Sequence, residues 1–220
     1  MTGASGFLGR DVAPELARNG WVVRRAVRTQ PRDANDVMIS SLSPATDWRA
    51  ALDGVDAVVH LAARVHQQSD EDAIEFHRNV NIVGTLHLVR SAAAAGVRDL
   101  IFVSTILAHG RSNCGRPPFR EDDVLTPRGL YGNSKAAAEV GLEGDRAGQR
   151  HEGDRDQTAA GLRRRSKRQF RLAQARGDES FAASARLVKN RGAFVSAENL
   201  ASFILYRLSH PGWTSTCFGG

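Results

Sequence analysis

The stretch Thr2-Gly3-Ala4-Ser5-Gly6-Phe7-Leu8-Gly9 is a glycine-rich loop, and it decides which fold the chain can adopt. Loops of this kind use one glycine for the tight turn out of a strand, one for close approach of the backbone to a pyrophosphate, and one for packing of the next helix against the sheet. Gly3, Gly6 and Gly9 stand in that order. The stretch predicts a phosphate-binding loop, and an ordinary turn is the alternative that three glycines alone leave open.

The sequence around the loop predicts a helix after it and an incomplete strand before it. Residues 10–18 carry apolar side chains on one side and are followed by Asn19-Gly20, a common helix end. The N-terminus of such a helix offers free N–H groups and a partial positive charge to an anion. Only Met1 and Thr2 precede Gly3, where a buried strand normally stands. We therefore expect a sheet that lacks its first strand.

Beyond the loop, apolar runs alternate with helical patterns as far as residue 141. We expect strands at 21–27, 37–41, 55–63 and 100–104, and helices at 48–52, at 72–95 and from 131 onward, with a break near Gly84 as the alternative to one continuous helix at 72–95. This alternation is typical of an α/β protein with a parallel sheet and helices on both faces. Another amphipathic helix is expected at 198–208, with Ser196 as its N-cap.

Composition narrows the classes of protein that the chain can belong to. Its 220 residues, 41% of them hydrophobic, are enough for one sizeable core. The chain has no apolar run long enough to span a bilayer and no signal-peptide pattern, so we expect a cytoplasmic protein without a membrane partner. Cys114 and Cys217 lack metal-like spacing. The net charge of +6 is concentrated at 146–176 without interleaved aromatic residues, so nucleic-acid binding is not expected.

Tyr131 and Lys135 are the first candidates for chemistry, because they lie four residues apart in a helical segment and so share a face. A lysine ammonium near a phenol lowers the tyrosine pKa toward a value useful for proton transfer. Ser104 and Thr105 follow a predicted parallel strand, at the sheet edge where ligands bind in α/β folds. A hydroxyl there is placed to bind a substrate oxygen. A solvated helix face is the alternative for the Tyr–Lys pair.

With these motifs in place, the chain resembles the extended short-chain dehydrogenase/reductase family, in its NAD-dependent epimerase/dehydratase branch that acts on nucleotide sugars. The resemblance covers about the first two thirds of the chain. It rests on the glycine loop together with His60-Leu61-Ala62-Ala63, Asn81 with Gly84-Thr85, Phe102-Val103-Ser104-Thr105, Pro118-Phe119-Arg120-Glu121-Asp122-Asp123 and Tyr131-Gly132-Asn133-Ser134-Lys135. It implies a Rossmann-type doubly wound parallel sheet, here lacking its first strand, with a remnant of a small C-terminal substrate domain.

The resemblance also implies roles for individual residues. Tyr131 would be the acid/base, Lys135 would hold the nicotinamide ribose and tune Tyr131, and Thr105 would orient the sugar hydroxyl. Asn81 would brace the site, with a plain buried or capping asparagine as the alternative, and His60 is expected to be a structural strand histidine. The cofactor would be bound by the loop, by the segment after the strand at 55–63, and by the two catalytic residues on the helix: Gly3, Gly6, Phe7, Leu8, Gly9, Arg28, Leu61, Ala62, Ala63, Tyr131 and Lys135.

The choice between NAD and NADP rests on one position. Relatives that prefer NAD end the second strand with an acidic residue that binds the ribose diol, and this chain has Arg28 there. Arg28, with Arg25, is suited to a 2′-phosphate, which favours NADP. A solvated arginine at a strand end explains Arg28 equally well.

The reaction implied by the family begins with hydride transfer at sugar carbon C4 of a nucleotide sugar, with a UDP-sugar as the expected substrate. Ile106-Leu107 stand where a dehydratase would carry an acidic pair, so epimerase and reductase are the two expected outcomes. Such oxidoreductases and isomerases commonly serve polysaccharide biosynthesis, and a homodimer is compatible with the family. The alternative is a non-catalytic or inactive dinucleotide-binding fragment.

The resemblance ends after Leu142, and this gives the expected domain organisation. Residues 1–142 would be the NAD(P)-binding domain, 143–184 an Arg-rich irregular segment, and 185–220 a remnant of the substrate-binding domain. Residues 143–179 contain no Val or Ile, which argues against a buried strand. We interpret the chain as truncated and frame-disrupted, with an inserted disordered segment as the alternative for 143–179.

Overall fold

The computed structural model describes residues 1–65, 71–110, 112, 115, 117–120, 122–152 and 195–210. Its strands are β1 (Arg25–Val27), β2 (Asp36–Met38), β3 (Ala57–His60) and β4 (Asp99–Phe102). The helices are α1 (Gly9–Arg18), α2 (Arg49–Leu52), α3 (Glu71–His77), a π-helix (Arg78–Val83), α4 (Gly84–Ala94), a short 3-10 helix (Ile106–Ala108), α5 (Gly129–Glu152) and α6 (Ala197–Ser209).

Thr2 takes the place of the missing first strand in a parallel sheet. β1 pairs with β2, and β3 pairs with β4, both in parallel. Thr2 forms parallel bridges to Ala26 of β1 and to His60 of β3, so the order across the sheet is β2, β1, Thr2, β3, β4. This is the order of a doubly wound dinucleotide-binding sheet. The expected Rossmann-type fold is confirmed, and Thr2 occupies the position of its first strand.

Helices cover both faces of the sheet. Successive strand residues point to opposite faces, so neighbouring residues of one strand pack against different helices. Val59 and Ile101 face a core formed with α1 and α6, whose buried members include Leu16 and Ile204. Val58 faces a second core with α2 and α4. A smaller cluster joins β4 to α5 through Phe102, Ala138 and Leu142. At the carboxyl end of the sheet, β4 thus packs against α5, and the residue after β3 is hydrogen-bonded to Thr2, which precedes the glycine loop.

The predicted elements are found in order, with shorter strands than the apolar runs indicated. The predicted strand at 21–27 contains β1 at Arg25–Val27 only, and the predicted helix at 72–95 is divided by the π-helix. Ser196 caps α6 as expected, since its hydroxyl accepts a hydrogen bond of 3.1 Å from the Asn199 N–H. Gly20 has a φ of +85°, which suits the predicted end of α1.

The C-terminal part differs from the expected domain organisation in two respects. α5 continues through Glu152, so residues 143–152 are helical rather than irregular. The reason is that this stretch lacks proline and contains helix-favouring Glu, Arg and Gln. α6, expected within a remnant of a substrate domain, packs against α1 through Leu200, Ile204 and Leu208. Residues 153–194 and 211–220, with most of the Arg-rich segment, lie outside the described residues.

Candidate functional site

The glycine loop is folded so tightly that side chains are excluded at two of its positions. Gly3 has a φ of +72°, and a Cβ there would lie 2.7 Å from the Ala62 nitrogen. A Cβ on Gly9 would lie 2.2 Å from the Gly3 carbonyl oxygen. The Gly6 N–H donates a 3.0 Å hydrogen bond to that same oxygen. These contacts assign Gly3 to the turn and Gly9 to helix packing, as the sequence predicted.

The glycine loop leads from the sheet edge directly into α1, and the N-terminus of a helix carries a partial positive charge that attracts anions. Leu8 is the residue before α1, and its side chain forms no capping hydrogen bond. Of the first N–H groups of α1, those of Arg10 and Asp11 donate to the Gly6 and Leu8 carbonyl oxygens over 3.1 and 3.2 Å. Phe7, in the loop before them, is 72% exposed. The partial positive charge at the start of α1 and the close loop backbone suit the pyrophosphate of a dinucleotide.

The segment Leu61-Ala62-Ala63 lies directly against this loop. The Leu61 N–H donates to the Thr2 carbonyl over 3.3 Å, and the Ala62 N–H donates to Thr2 Oγ1 over 3.3 Å. All three residues are half-buried. Their backbone borders the loop at the carboxyl end of β3, where the sequence analysis predicts a cofactor-lining segment.

Asn81, in the π-helix, ties the next part of the chain to the start of α5. Its side-chain oxygen accepts from the Arg64 N–H over 2.7 Å, and its amide donates to the Arg64 carbonyl over 2.9 Å. The same amide nitrogen lies 2.9 Å from Ser134 Oγ. Asn81 is 1% exposed. Asn81 is thus a buried residue that links the segment after β3 to α5, and its bracing of a substrate or cofactor site stays a prediction.

Thr105 and Tyr131 are brought to one edge by packing of the 3-10 helix on α5. Thr105 precedes that helix and its Oγ1 accepts from the Leu107 N–H over 3.3 Å. A Cβ on Gly132 would lie 2.7 Å from the Leu107 carbonyl oxygen, so only glycine permits this approach. The Arg128 N–H donates to the same oxygen over 3.2 Å. Thr105 is buried and Tyr131 is half-buried.

Lys135 lies one turn after Tyr131, but its charge does not act on the phenol as predicted. Burial raises the pKa of Tyr131 to about 12. Burial lowers the pKa of Lys135 to about 7, and the charge of Glu139 opposes that lowering. Lys135 Nζ lies 3.9 Å from the centroid of the Phe102 ring. The predicted lowering of the Tyr131 pKa is wrong for this state of the chain, because the ammonium is directed toward β4.

Glu139 is a buried carboxylate at this site that the sequence analysis did not identify. It is fully buried, one turn after Lys135 on α5, and Ser104 Oγ donates a hydrogen bond to its Oε1. The Ser104 hydroxyl is therefore already hydrogen-bonded to α5, which favours Thr105 as the hydroxyl that binds substrate. The signal available in the sequence was a glutamate between the buried positions Ala138 and Leu142.

The two candidate arginines for a 2′-phosphate differ in their surroundings. Arg25 forms ion pairs with Asp36 at 2.5 Å and with Asp33 at 3.4 Å. Its charge is therefore already compensated. Arg28, just past β1, is exposed. A cavity of about 520 Å³ lies between α1 and β1, and its lining includes Ala4, Arg10, Arg25 and Asp33. Of the two, Arg28 has the more exposed side chain.

His60 is a buried structural histidine, as predicted. Its Nδ1 lies 2.6 Å from Thr2 Oγ1 and its Nε2 lies 2.9 Å from Thr85 Oγ1. The described residues contain no group of three His, Cys, Asp or Glu side chains arranged to hold a metal ion. Within the same residues, no helix combines the length and the hydropathy that crossing a bilayer requires.

These features define an α/β protein with a dinucleotide-type glycine loop and a Tyr–Lys helix at the same sheet edge. Residues 1–148 match the model of the NAD dependent epimerase/dehydratase family. Since this match covers more than half of the chain, the chain belongs to that family.

Two curated relatives show the range of proteins that share this region. The chain is 32% identical over 147 residues to a UDP-glucose 4-epimerase of Vibrio cholerae, a match covering 64% of this chain and 45% of the relative. It is also 32% identical over 149 residues to the methionine adenosyltransferase 2 subunit beta of Xenopus tropicalis, covering 67% and 41%. The chain thus spans less than half the length of these relatives.

Solved structures share the fold. A short-chain dehydrogenase/reductase superfamily protein from Agrobacterium tumefaciens with bound NAD is 31% identical, with a TM-score of 0.56, over 66% of this chain and 44% of that one. The UDP-N-acetylglucosamine 4-epimerase from Bacillus cereus is 30% identical, with a TM-score of 0.54, over 64% and 52%. MoeE5 in complex with UDP-glucose and NAD is 25% identical, with a TM-score of 0.58, over 66% and 48%.

Proposed function

We propose that this chain is the nucleotide-binding part of a nucleotide-sugar epimerase or reductase that acts at the sugar C4 position with NAD(P). The observation that carries the proposal is the packing of the 3-10 helix that follows Thr105 against the start of α5, which carries Tyr131. Relatives that are UDP-sugar 4-epimerases, and a neighbour solved with UDP-glucose and NAD, support this reading.

The cofactor is proposed to be a nicotinamide dinucleotide. Its pyrophosphate would lie on Gly6 and the N–H groups at the start of α1, and Leu61, Ala62 and Ala63 would line its nicotinamide half. Bound there, the nicotinamide would supply hydride chemistry at the substrate carbon. The neighbours solved with NAD favour NAD, while the exposed Arg28 leaves NADP as the alternative.

The protein residues would handle the proton and the position of the sugar. Tyr131 would take the proton from the C4 hydroxyl on oxidation and return it on reduction, and Thr105 Oγ1 would hold that hydroxyl by a hydrogen bond. Lys135 would hold the nicotinamide ribose. Since burial raises the pKa of Tyr131 to about 12, the phenol is protonated at neutral pH and is ready to act as the acid on reduction, whereas oxidation would require the phenol to lose its proton first.

Turnover and cofactor binding test the proposal separately. We would titrate the purified chain with NAD(H) and NADP(H) by protein fluorescence, and follow interconversion of UDP-glucose and UDP-galactose by chromatography. Tyr131→Phe should lower kcat by about 10²- to 10⁴-fold and leave cofactor affinity within about twofold. Asn133→Ala, at an exposed position on the same turn of α5, is the matched control and should change neither.

A second candidate function is a dinucleotide-binding protein without turnover. It is favoured by the equal identity, 32%, to a protein known as a subunit of an adenosyltransferase. Cofactor binding with no conversion of any UDP-sugar would support this candidate and reject the enzyme. A folded chain that binds neither NAD(H) nor NADP(H) would reject both.

A further inference from the structure

Two buried ionisable side chains of α5, Lys135 and Glu139, lie on the side of that helix that faces β4. Glu139 and Lys135 are separated by one helical turn and are 0% and 1% exposed. Lys135 Nζ lies over the face of the Phe102 ring, 3.9 Å from its centroid. Ser104 follows Phe102 by two residues along the chain, and its hydroxyl donates a hydrogen bond to Glu139 Oε1. One stretch of β4 and its exit therefore contacts both charged side chains.

Neither charge would be stable in this place by itself. Removing an isolated carboxylate or ammonium from water is so unfavourable that such a group normally becomes neutral. Burial is the largest influence on the Lys135 pKa and favours the neutral amine, whereas the Glu139 charge favours the ammonium. The other titratable groups around Lys135 are His60 on β3, whose pKa burial keeps low, and Tyr131 one turn earlier on α5.

We propose that Glu139 is a positioning residue that favours the charged form of Lys135 from one helical turn away and, through its hydrogen bond to Ser104, fixes α5 at the exit of β4. The exit of β4 leads directly to Thr105, so the same hydrogen bond fixes α5 relative to the substrate hydroxyl. The inference deepens the proposed function, because an ammonium at Lys135 serves that function by holding a ribose. It adds a residue that touches neither substrate nor cofactor and acts through Lys135.

The titration of Lys135 can be followed directly, because the chain has only three lysines, at positions 135, 167 and 189. The full chain would be labelled with ¹³C at the lysine Cε, and the chemical shift recorded by NMR from pH 5 to 11. Lys135→Arg identifies the signal. Glu139→Gln should lower the pKa of Lys135 by about 1 or more. Glu143→Gln, an exposed glutamate one turn further on α5, is the matched control and should leave it unchanged.

A double-mutant cycle covers the case in which Glu139→Gln alone does not fold. If the pair is coupled as proposed, Lys135→Met should stabilise the Glu139→Gln variant against urea by more than it stabilises the wild type, because only in the variant does it remove a lone ammonium. An equal effect of Lys135→Met in the two proteins would overturn the proposal. An unchanged Lys135 titration in folded Glu139→Gln would overturn it too.

Both measurements use the chain without cofactor or substrate, so they stand apart from the proposed function. If turnover is present, Glu139→Gln should also shift the alkaline limb of the kcat/KM profile to lower pH, and Glu139→Asp should restore most of that shift. A normal coupling in a chain without turnover would reject the proposed function and support the positioning role of Glu139. Turnover together with a Lys135 titration that does not depend on Glu139 would support the proposed function and reject the positioning role of Glu139.

Discussion

Lys135 carries an ammonium group into a part of the fold that water does not reach. Only 1% of it is exposed, and burial lowers its pKa from 10.5 to about 7. Below pH 7 the folded chain holds a charged lysine at a position that disfavours charge. Between pH 7 and 10.5 the unfolded lysine is protonated while the folded one is neutral. Proton release on folding in this window makes the free energy of unfolding rise with pH.

We therefore expect the free energy of unfolding of the wild type to rise with pH relative to that of Lys135→Met. The wild type should gain about 1 kcal/mol per pH unit relative to the variant between pH 7 and 9. Urea unfolding at pH 7, 8 and 9, followed by circular dichroism, measures it. Effects of other titrating groups cancel, because both proteins contain them. A difference that stays constant with pH would show that Lys135 titrates normally.

At the scale of elements, the glycine loop and α1 form the unit on which cofactor binding depends. A Cβ on Gly9 would meet the Gly3 carbonyl oxygen at 2.2 Å, which is backbone that cannot turn away. Gly144, within α5, is a helical glycine of the opposite kind, since a Cβ there meets nothing within 4 Å. The two positions separate the steric requirement of the loop from the general effect of replacing glycine in a helix.

Gly9→Ala should destabilise the chain by about 1 to 3 kcal/mol, because the loop must open to admit the methyl group. It should also weaken NAD(H) binding at least about tenfold, since the loop N–H groups lose their arrangement. Gly144→Ala should stabilise the chain by about 0.5 to 1 kcal/mol and leave binding unchanged. Urea unfolding and fluorescence titration give both quantities. Equal effects at the two sites would contradict a special role for Gly9.

Periodicity predicted the long elements well and their internal irregularities poorly. α1 and α6 follow apolar patterns that the sequence shows directly, and Ser196 is a recognisable cap. The π-helix at Arg78–Val83 has no such pattern, because its register depends on the distant hydrogen bonds of Asn81 to Arg64 and Ser134. Such tertiary contacts are not encoded in local spacing.

The same limit applies to the candidate site. The positions of Tyr131 and Thr105 could be predicted because motif order and strand ends indicate where they lie. The buried state of Glu139 could not, since a glutamate in a helix is almost always exposed unless it is paired. Its partner Ser104 lies 35 residues away along the chain. The predicted direction of the Tyr131 pKa failed for a related reason, because the effect of burial exceeds that of helix spacing.

At the scale of the whole molecule, His60 connects parts that are far apart in sequence. Its two ring nitrogens contact Thr2 Oγ1, in the position of the first strand, and Thr85 Oγ1, in α4. Its ring stacks on Phe102 of β4, with centroids 5.7 Å apart. Thr2 in turn bridges the two halves of the sheet. Protonation of His60 would place a charge where these elements meet, so the fold as a whole should be sensitive to acid.

Burial lowers the pKa of His60 from 6.5 to about 3. Between these values the unfolded histidine binds a proton and the folded one does not, so the free energy of unfolding should fall as the pH drops from 6.5 toward 3. We expect a loss of about 1 kcal/mol per pH unit between pH 6 and 4. His60→Gln should be less stable at pH 7, because its amide cannot reproduce both hydrogen bonds, yet should show a flatter pH dependence.

His210, exposed after α6, supplies the matched control, and His210→Gln should keep the wild-type pH dependence. Urea unfolding from pH 7 to 4 compares the three proteins. Carboxylates also titrate in this range, but they are common to all three, so the difference between wild type and His60→Gln isolates His60. Parallel curves for wild type and His60→Gln would mean that the histidine is protonated in the folded chain. In that case the neutral contacts of His60 with Thr2 and Thr85 would not be what holds the sheet to α4.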